Sequence, residues 1–148
     1  MARRRPRYLA RVRVVIGLDL GRARVGVAIS DELRSMAHPR PNLEGRDRKA
    51  LVANLVAMAR EESAERFVLG LPLEMTGERG PAATRAVEFA TALANASGLE
   101  VELVDERLST VEANRALATS QVRRRERRDH IDAASAVVIL QAWLDRQP

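Results

Sequence analysis

Two rhythms of apolar residues divide the chain. Residues 14–18, Val14-Val15-Ile16-Gly17-Leu18, form a β-branched run closed by Asp19, the pattern of a buried strand. Gly21-Arg22-Ala23-Arg24 is a turn, and Val25-Gly26-Val27-Ala28-Ile29-Ser30 predicts a second strand returning beside the first. A third short strand is expected around Leu33 to His38, with Pro39 and Pro41 breaking the pattern after it. From Asp47 to Ser63 the spacing becomes helical, with Leu51, Leu55, Val56, Met58 and Ala59 recurring on that period. Phe67 to Leu71 is a short apolar strand followed by a Gly- and Pro-bearing loop over residues 72–80. Pro81 opens a helix running through Val87, Ala90, Leu93 and Ala94, and Gly98 stands where a left-handed terminator belongs. Val101 to Asp105 is the next strand. Ser109-Thr110-Val111-Glu112 has capping-box spacing, which starts a helix reaching about Thr119. An arginine-dominated loop is expected over 120–130. The last helix, Ile131 to about Leu144, is apolar nearly all round and is expected to be largely buried.

Strands that alternate with helices late in the chain require parallel pairing, whereas the opening hairpin requires antiparallel pairing. The expected fold class is therefore α/β, a mixed sheet flanked by helices. Nothing in the pattern divides it, so residues 13–148 are expected to form one domain behind a basic arm at 1–12. At 148 residues such a domain buries enough surface to fold unaided.

Composition narrows the class. There is no cysteine, which excludes disulfides and thiolate metal sites. No apolar stretch is long enough to cross a bilayer, and the N-terminus lacks the apolar run of a secretory signal. The expectation is a cytoplasmic protein with no membrane partner. Of the 25 basic residues only Lys49 is lysine; with a net charge of +5, the arginines suit a polyanion, through bidentate phosphate contacts and counterion release. Solvated surface charge explains the composition equally well, so position has to decide. Aromatic residues make up 3% of the chain, so base stacking cannot be the main mode of recognition.

Position singles out three acids. Asp19 ends an apolar strand, Glu106 follows directly on another, and Asp132 lies in the first turn of a helix that otherwise reads as core. A carboxylate in apolar surroundings is costly unless it is paired or holds a metal. Three brought together would also repel, unless a divalent cation fills the gap. Magnesium, a hard ion preferring oxygen ligands, fits such a set, with manganese as an alternative. Each acid alone has an ordinary explanation: a turn cap for Asp19, a pair with Arg107 for Glu106, a helix N-terminus for Asp132.

Four segments in order carry a resemblance: Gly17-Leu18-Asp19-Leu20-Gly21 with Arg24-Val25-Gly26-Val27-Ala28; Gly70-Leu71-Pro72-Leu73 with Gly77; Asp105-Glu106-Arg107-Leu108-Ser109-Thr110; and Asp132-Ala133-Ala134 leading to Ile139-Leu140-Gln141. Together they resemble the YqgF/RuvX family over nearly the whole chain. Its members are described as Holliday junction resolvases and as pre-16S ribosomal RNA processing nucleases. The resemblance implies a ribonuclease-H-like fold and metal-assisted phosphodiester hydrolysis, with Asp19, Glu106 and Asp132 matching the acidic triad. Asp129 competes for the third role, but Asp132 precedes the Ala-Ala stretch as the family's acid does. The implied partner is precursor ribosomal RNA or branched DNA, with monomer and homodimer both open.

Arg24, Arg107, Arg123, Arg124, Arg125, Arg127 and Arg128 are the expected nucleic-acid contacts, most of them in the segment leading to Asp132. His38 and His130 fit no metal-site spacing, and Trp143 is expected to pack in the core. Two other classes compete. A non-catalytic nucleic-acid-binding module would gain nothing from three negative charges near phosphate. An actin-like ATP-dependent kinase is suggested by Asp19-Leu20-Gly21, but such enzymes close two domains around nucleotide, and one is expected here.

Overall fold

The computed structural model describes residues 13–106 and 124–147, the side chains of 124–133 excepted. The basic arm at 1–12, the helix expected over 109–119, and Arg107 and Arg123 lie outside the described residues. Five strands form one sheet: β1 (Val14–Leu20), β2 (Arg24–Ser30), β3 (Ala37–Glu44), β4 (Ala64–Leu71) and β5 (Glu100–Asp105). They lie in the order β3-β2-β1-β4-β5. The first three pair antiparallel, whereas β1–β4 and β4–β5 pair parallel. This is the mixed sheet anticipated above.

The helices among the described residues are α1 (Arg48–Glu62), α2 (Pro81–Ser97) and α3 (Arg124–Asp145). Asp47 caps α1 by accepting from the Ala50 amide at 3.1 Å, and Ser63 ends it in the left-handed region at φ 55°. Pro81 begins α2, and Gly98 closes it at φ 71°, its amide donating to the Ala94 carbonyl.

Two expectations are corrected. The third strand runs Ala37–Glu44 rather than around Leu33 to His38, and it includes Pro39 and Pro41. Being at the sheet edge, β3 has one side on which missing amide donors leave no ladder bond unmade, which is where proline is tolerated. The last helix begins at Arg124, not Ile131, so residues 124–130 are helical rather than a loop. Arginine and glutamate are good helix formers, and a charged run reads as loop only until their propensity is counted.

Alternation along the strands sorts the core. Ile16, Leu18, Phe67 and Leu69 pack with Leu51 and Leu55 of α1 and Phe89 and Leu93 of α2 on one face. Val15, Ala28, Val68 and Val104 pack with Ala136, Ile139, Leu140 and Trp143 of α3 on the other. The buried face of α3 is thus an i, i+3, i+4, i+7 stripe, with Val137, Val138, Gln141 and Ala142 only half-buried beside it, so the helix is less enclosed than its composition suggests.

Polar contacts fix how α3 lies across the sheet. Gln141 Oε1 accepts from the Ala37 amide at 2.9 Å, and its Nε2 donates to the Ser35 carbonyl at 3.0 Å. The buried Trp143 indole donates to Glu102 Oε2 at 2.8 Å, and Arg66, stacked 5.4 Å from the Trp143 ring, donates to the same carboxylate oxygen at 2.9 Å.

Gly17 of β1 sets how closely α3 approaches. A β-carbon there would stand 2.6 Å from Leu140 Cβ and 3.2 Å from the Ala136 carbonyl oxygen. Neither atom can rotate aside, so Gly17→Ala must lift the helix. The expected cost is about 1–3 kcal/mol, the range for overpacking. A thermal melt unchanged from the parent would contradict this seating of α3.

Candidate active site

Because β1, β4 and β5 run parallel, their carboxyl-terminal ends share one edge of the sheet. Asp19, penultimate in β1, pairs across to Gly26 of β2 and is 8% exposed. It is one of three buried polar or charged residues among those described. Glu106 follows β5 directly and is half-buried. Between them runs β4, and Gly70 lies one step beyond the registered pair Leu18–Leu69. A β-carbon on Gly70 would stand 2.5 Å from Glu106 Oε1 and 2.6 Å from Ile139 Cδ1. The absent side chain is thus the space through which the Glu106 carboxylate turns back toward β1.

Asp19 and Glu106 line one cleft of about 220 Å³ with Leu20, Gly21, Arg22, Arg48, Pro72, Ala82 and Arg85. Two of the three acids singled out in the sequence, 87 positions apart, therefore line one cleft. The third, Asp132, lies in α3, and its side chain is not among those described. Among the described residues no three His, Asp or Glu side chains group as a metal centre. The donors that share the cleft are carboxylate oxygens, which are hard ligands and acceptors only when ionised, and this donor chemistry suits magnesium. His38 lies elsewhere, in a depression with Asp31, Glu61 and Glu62.

The remaining charged residues of the cleft are basic. Arg48, the first residue of α1, donates through Nη1 to the Gly45 carbonyl at 2.8 Å and through Nη2 to the Gly21 carbonyl at 3.0 Å. Its guanidinium carbon lies 5.9 Å from the centroid of the Phe89 ring. Burial, and after it the like charge of Arg85, push Arg48 below its ordinary pKa. The arginines that line this cleft, Arg22, Arg48 and Arg85, are absent from the contacts expected from sequence. Helix spacing alone does not reveal them, because Arg48 and Arg85 meet only once α1 and α2 lie side by side. Arg24 instead lines a depression with Pro41, Asn42, Leu43 and Glu44. Arg124, Arg125, Arg127 and Arg128 lie in the first turns of α3, their side chains outside those described.

The RuvX family model, described as Holliday junction resolvase, matches residues 13–146. The chain belongs to the RuvX family. A RuvX relative from Anaeromyxobacter sp., named a pre-16S rRNA nuclease, is 47% identical over 130 residues, covering 88% of this chain and 95% of the relative. A protein of the same name from Myxococcus xanthus is 46% identical over 130 residues, covering 88% and 86%. Among solved structures, RuvC of Thermus thermophilus in complex with a Holliday junction substrate matches with a TM-score of 0.57 at 15% identity, covering 90% of this chain and 95% of that one. The fowlpox virus Holliday junction resolvase matches with a TM-score of 0.57 at 11% identity, covering 90% and 99%. At such identities the likeness is one of fold, and the fold of this RuvX chain is ribonuclease-H-like. Among the described residues, no helix is long and apolar enough to cross a membrane.

Proposed function

We propose that the chain is a cytoplasmic, magnesium-dependent nuclease that hydrolyses phosphodiester bonds in maturing the 5′ end of pre-16S ribosomal RNA. The observation that carries this reading is that Asp19 and Glu106 line one cleft at the carboxyl-terminal edge of the sheet. A binding module for phosphate backbones would be weakened by placing acids there, whereas a hydrolase needs them to hold a cation. The curated relatives carry the rRNA-processing name, which favours RNA over the branched DNA of the family description.

In this reading Asp19 and Glu106 are ligands, and Asp132 completes the set. Position 132 precedes Ala136 by four residues in α3, and in this reading that is what lets it join the other two acids. Bound magnesium would polarise a phosphodiester oxygen and ease ionisation of the attacking water. The chain supplies rigidity: Asp19 is fixed within a paired strand, Glu106 by the end of β5 and the gap at Gly70, and α3 by Gly17, Gln141 and Trp143. Arg22, Arg48 and Arg85 supply positive charge in the same cleft, where substrate phosphate would lie.

The test is incubation of purified protein with magnesium or manganese against single-stranded RNA, precursor 16S rRNA ends and four-way DNA junctions, with Asp132→Asn and an EDTA-treated sample alongside. The expected result is metal-dependent cleavage of the rRNA precursor that both controls lose. Cleavage of junctions alone would move the substrate to branched DNA, and cleavage of nothing beyond the Asp132→Asn background would refute the nuclease.

A further inference from the structure

The acid cleft does not end at Arg48 and Arg85. Both residues also line a second, larger groove of about 550 Å³ between α1 and α2, shared with Lys49, Val52, Glu88, Phe89 and Ala92. The two spaces therefore adjoin through a pair of guanidinium groups. Three of the groove's four charged residues are cations, and its remaining lining is apolar. An anionic chain with apolar segments between its charges fits such a surface, and single-stranded nucleic acid has that character.

The two arginines are built differently. Arg48 is half-buried and tied to two backbone carbonyls, so its position is fixed and it braces the Gly21 turn beside Asp19. Arg85 is exposed, and neither it nor Arg48 has an ion-pair partner among the described residues. Like charges that share a groove without a close ion pair repel in the free protein, and a bound anion relieves that repulsion. Lys49 extends the positive charge outward along the first turn of α1.

We infer that the α1–α2 groove seats the single strand flanking the scissile phosphate, with Arg85 and Lys49 contacting consecutive backbone phosphates and Val52 and Ala92 lying against the sugars between them. This rests on the nuclease reading and adds a direction to it. The strand leaves the acid cleft across the face covered by α1 and α2, opposite the face on which α3 lies. Phosphate contacts set register without reading sequence, so the groove would accept many sequences.

The test measures binding rather than cleavage, so it is separable from the nuclease reading. Affinity for a fluorescein-labelled single-stranded RNA is followed by anisotropy across a salt series in calcium, for the parent, Arg85→Ala, Lys49→Ala, the double variant and Arg85→Lys. Arg60→Ala, an exposed charge at the far end of α1, controls for net charge. Each lost phosphate contact on a single strand should flatten the slope of log K against log salt by about 0.7, and the double variant by about twice that. Arg85→Lys should keep the parent slope, as should Arg60→Ala. Equal slopes for the parent and the double variant would overturn the groove assignment even if the protein cleaves RNA. Flattening equal to that of Arg60→Ala would also overturn it, by showing only a loss of overall charge. All substituted side chains are exposed, and coincident melting curves would confirm that folding is unaffected.

Discussion

Asp19→Asn should cut metal-dependent cleavage by at least about a hundredfold, a loss seen even for groups that only orient a metal's ligands. The substitution exchanges one oxygen for an NH2 of nearly the same size, so the packing of a residue only 8% exposed is kept. What is lost is the charge that a hard cation requires. The fold should survive the exchange because the side chain keeps its shape, and a thermal melt close to the parent's checks this. Affinity for RNA in the absence of metal should be unchanged or greater, since one fewer negative charge opposes phosphate. Single-turnover cleavage and anisotropy on the same preparation separate these effects. An Asp19→Asn protein that cuts at the parent rate would remove the acid cleft from the chemistry.

Gly70→Ala should lower cleavage by about tenfold to a hundredfold while leaving the fold intact, the range for losing control of a metal ligand's orientation. The new methyl group would intrude on Glu106 Oε1 at 2.5 Å and Ile139 Cδ1 at 2.6 Å. Both are the far ends of flexible side chains, so both can swing away at small cost in stability. The carboxylate, however, cannot swing and remain where Gly70 now admits it. This is the reverse of Gly17→Ala, where the new methyl meets a helix Cβ and a carbonyl oxygen and the cost falls on packing. Half-maximal activation should move to higher magnesium for Gly70→Ala, and added metal should restore part of the rate. Loss of rate with no change in metal dependence would mean that Glu106 is not a ligand.

Much of this arrangement was legible in the sequence, for local reasons. The β-branched run before Asp19, Pro81 at the start of α2 and Gly98 at its end each act on neighbouring backbone, and each stands where expected. Asp19 and Glu106 were visible as acids attached to apolar strands, and parallel pairing brings their strand ends to one edge. The third strand was misplaced because proline reads as a breaker until the strand is known to lie at the edge, a property of the whole sheet. The start of α3 was hidden because a run of arginines carries no apolar period. Arg48 and Arg85, 37 positions apart, could not be paired from spacing, since only the packing of α1 against α2 joins them. The resemblance to the RuvX family suggested the acids, but it did not suggest these cleft arginines.

The prolines of β3 also bear on self-association. Pro39 and Pro41 carry no amide hydrogen, and the register of β3 shifts just past Arg40, so this edge offers an irregular rail short of donors. A second copy attempting to add its own strand along that margin would meet carbonyls with no matching hydrogens. Sheet-extending dimers and fibrillar stacking are thus disfavoured on the β3 side, and a partner copy would have to dock through side chains instead.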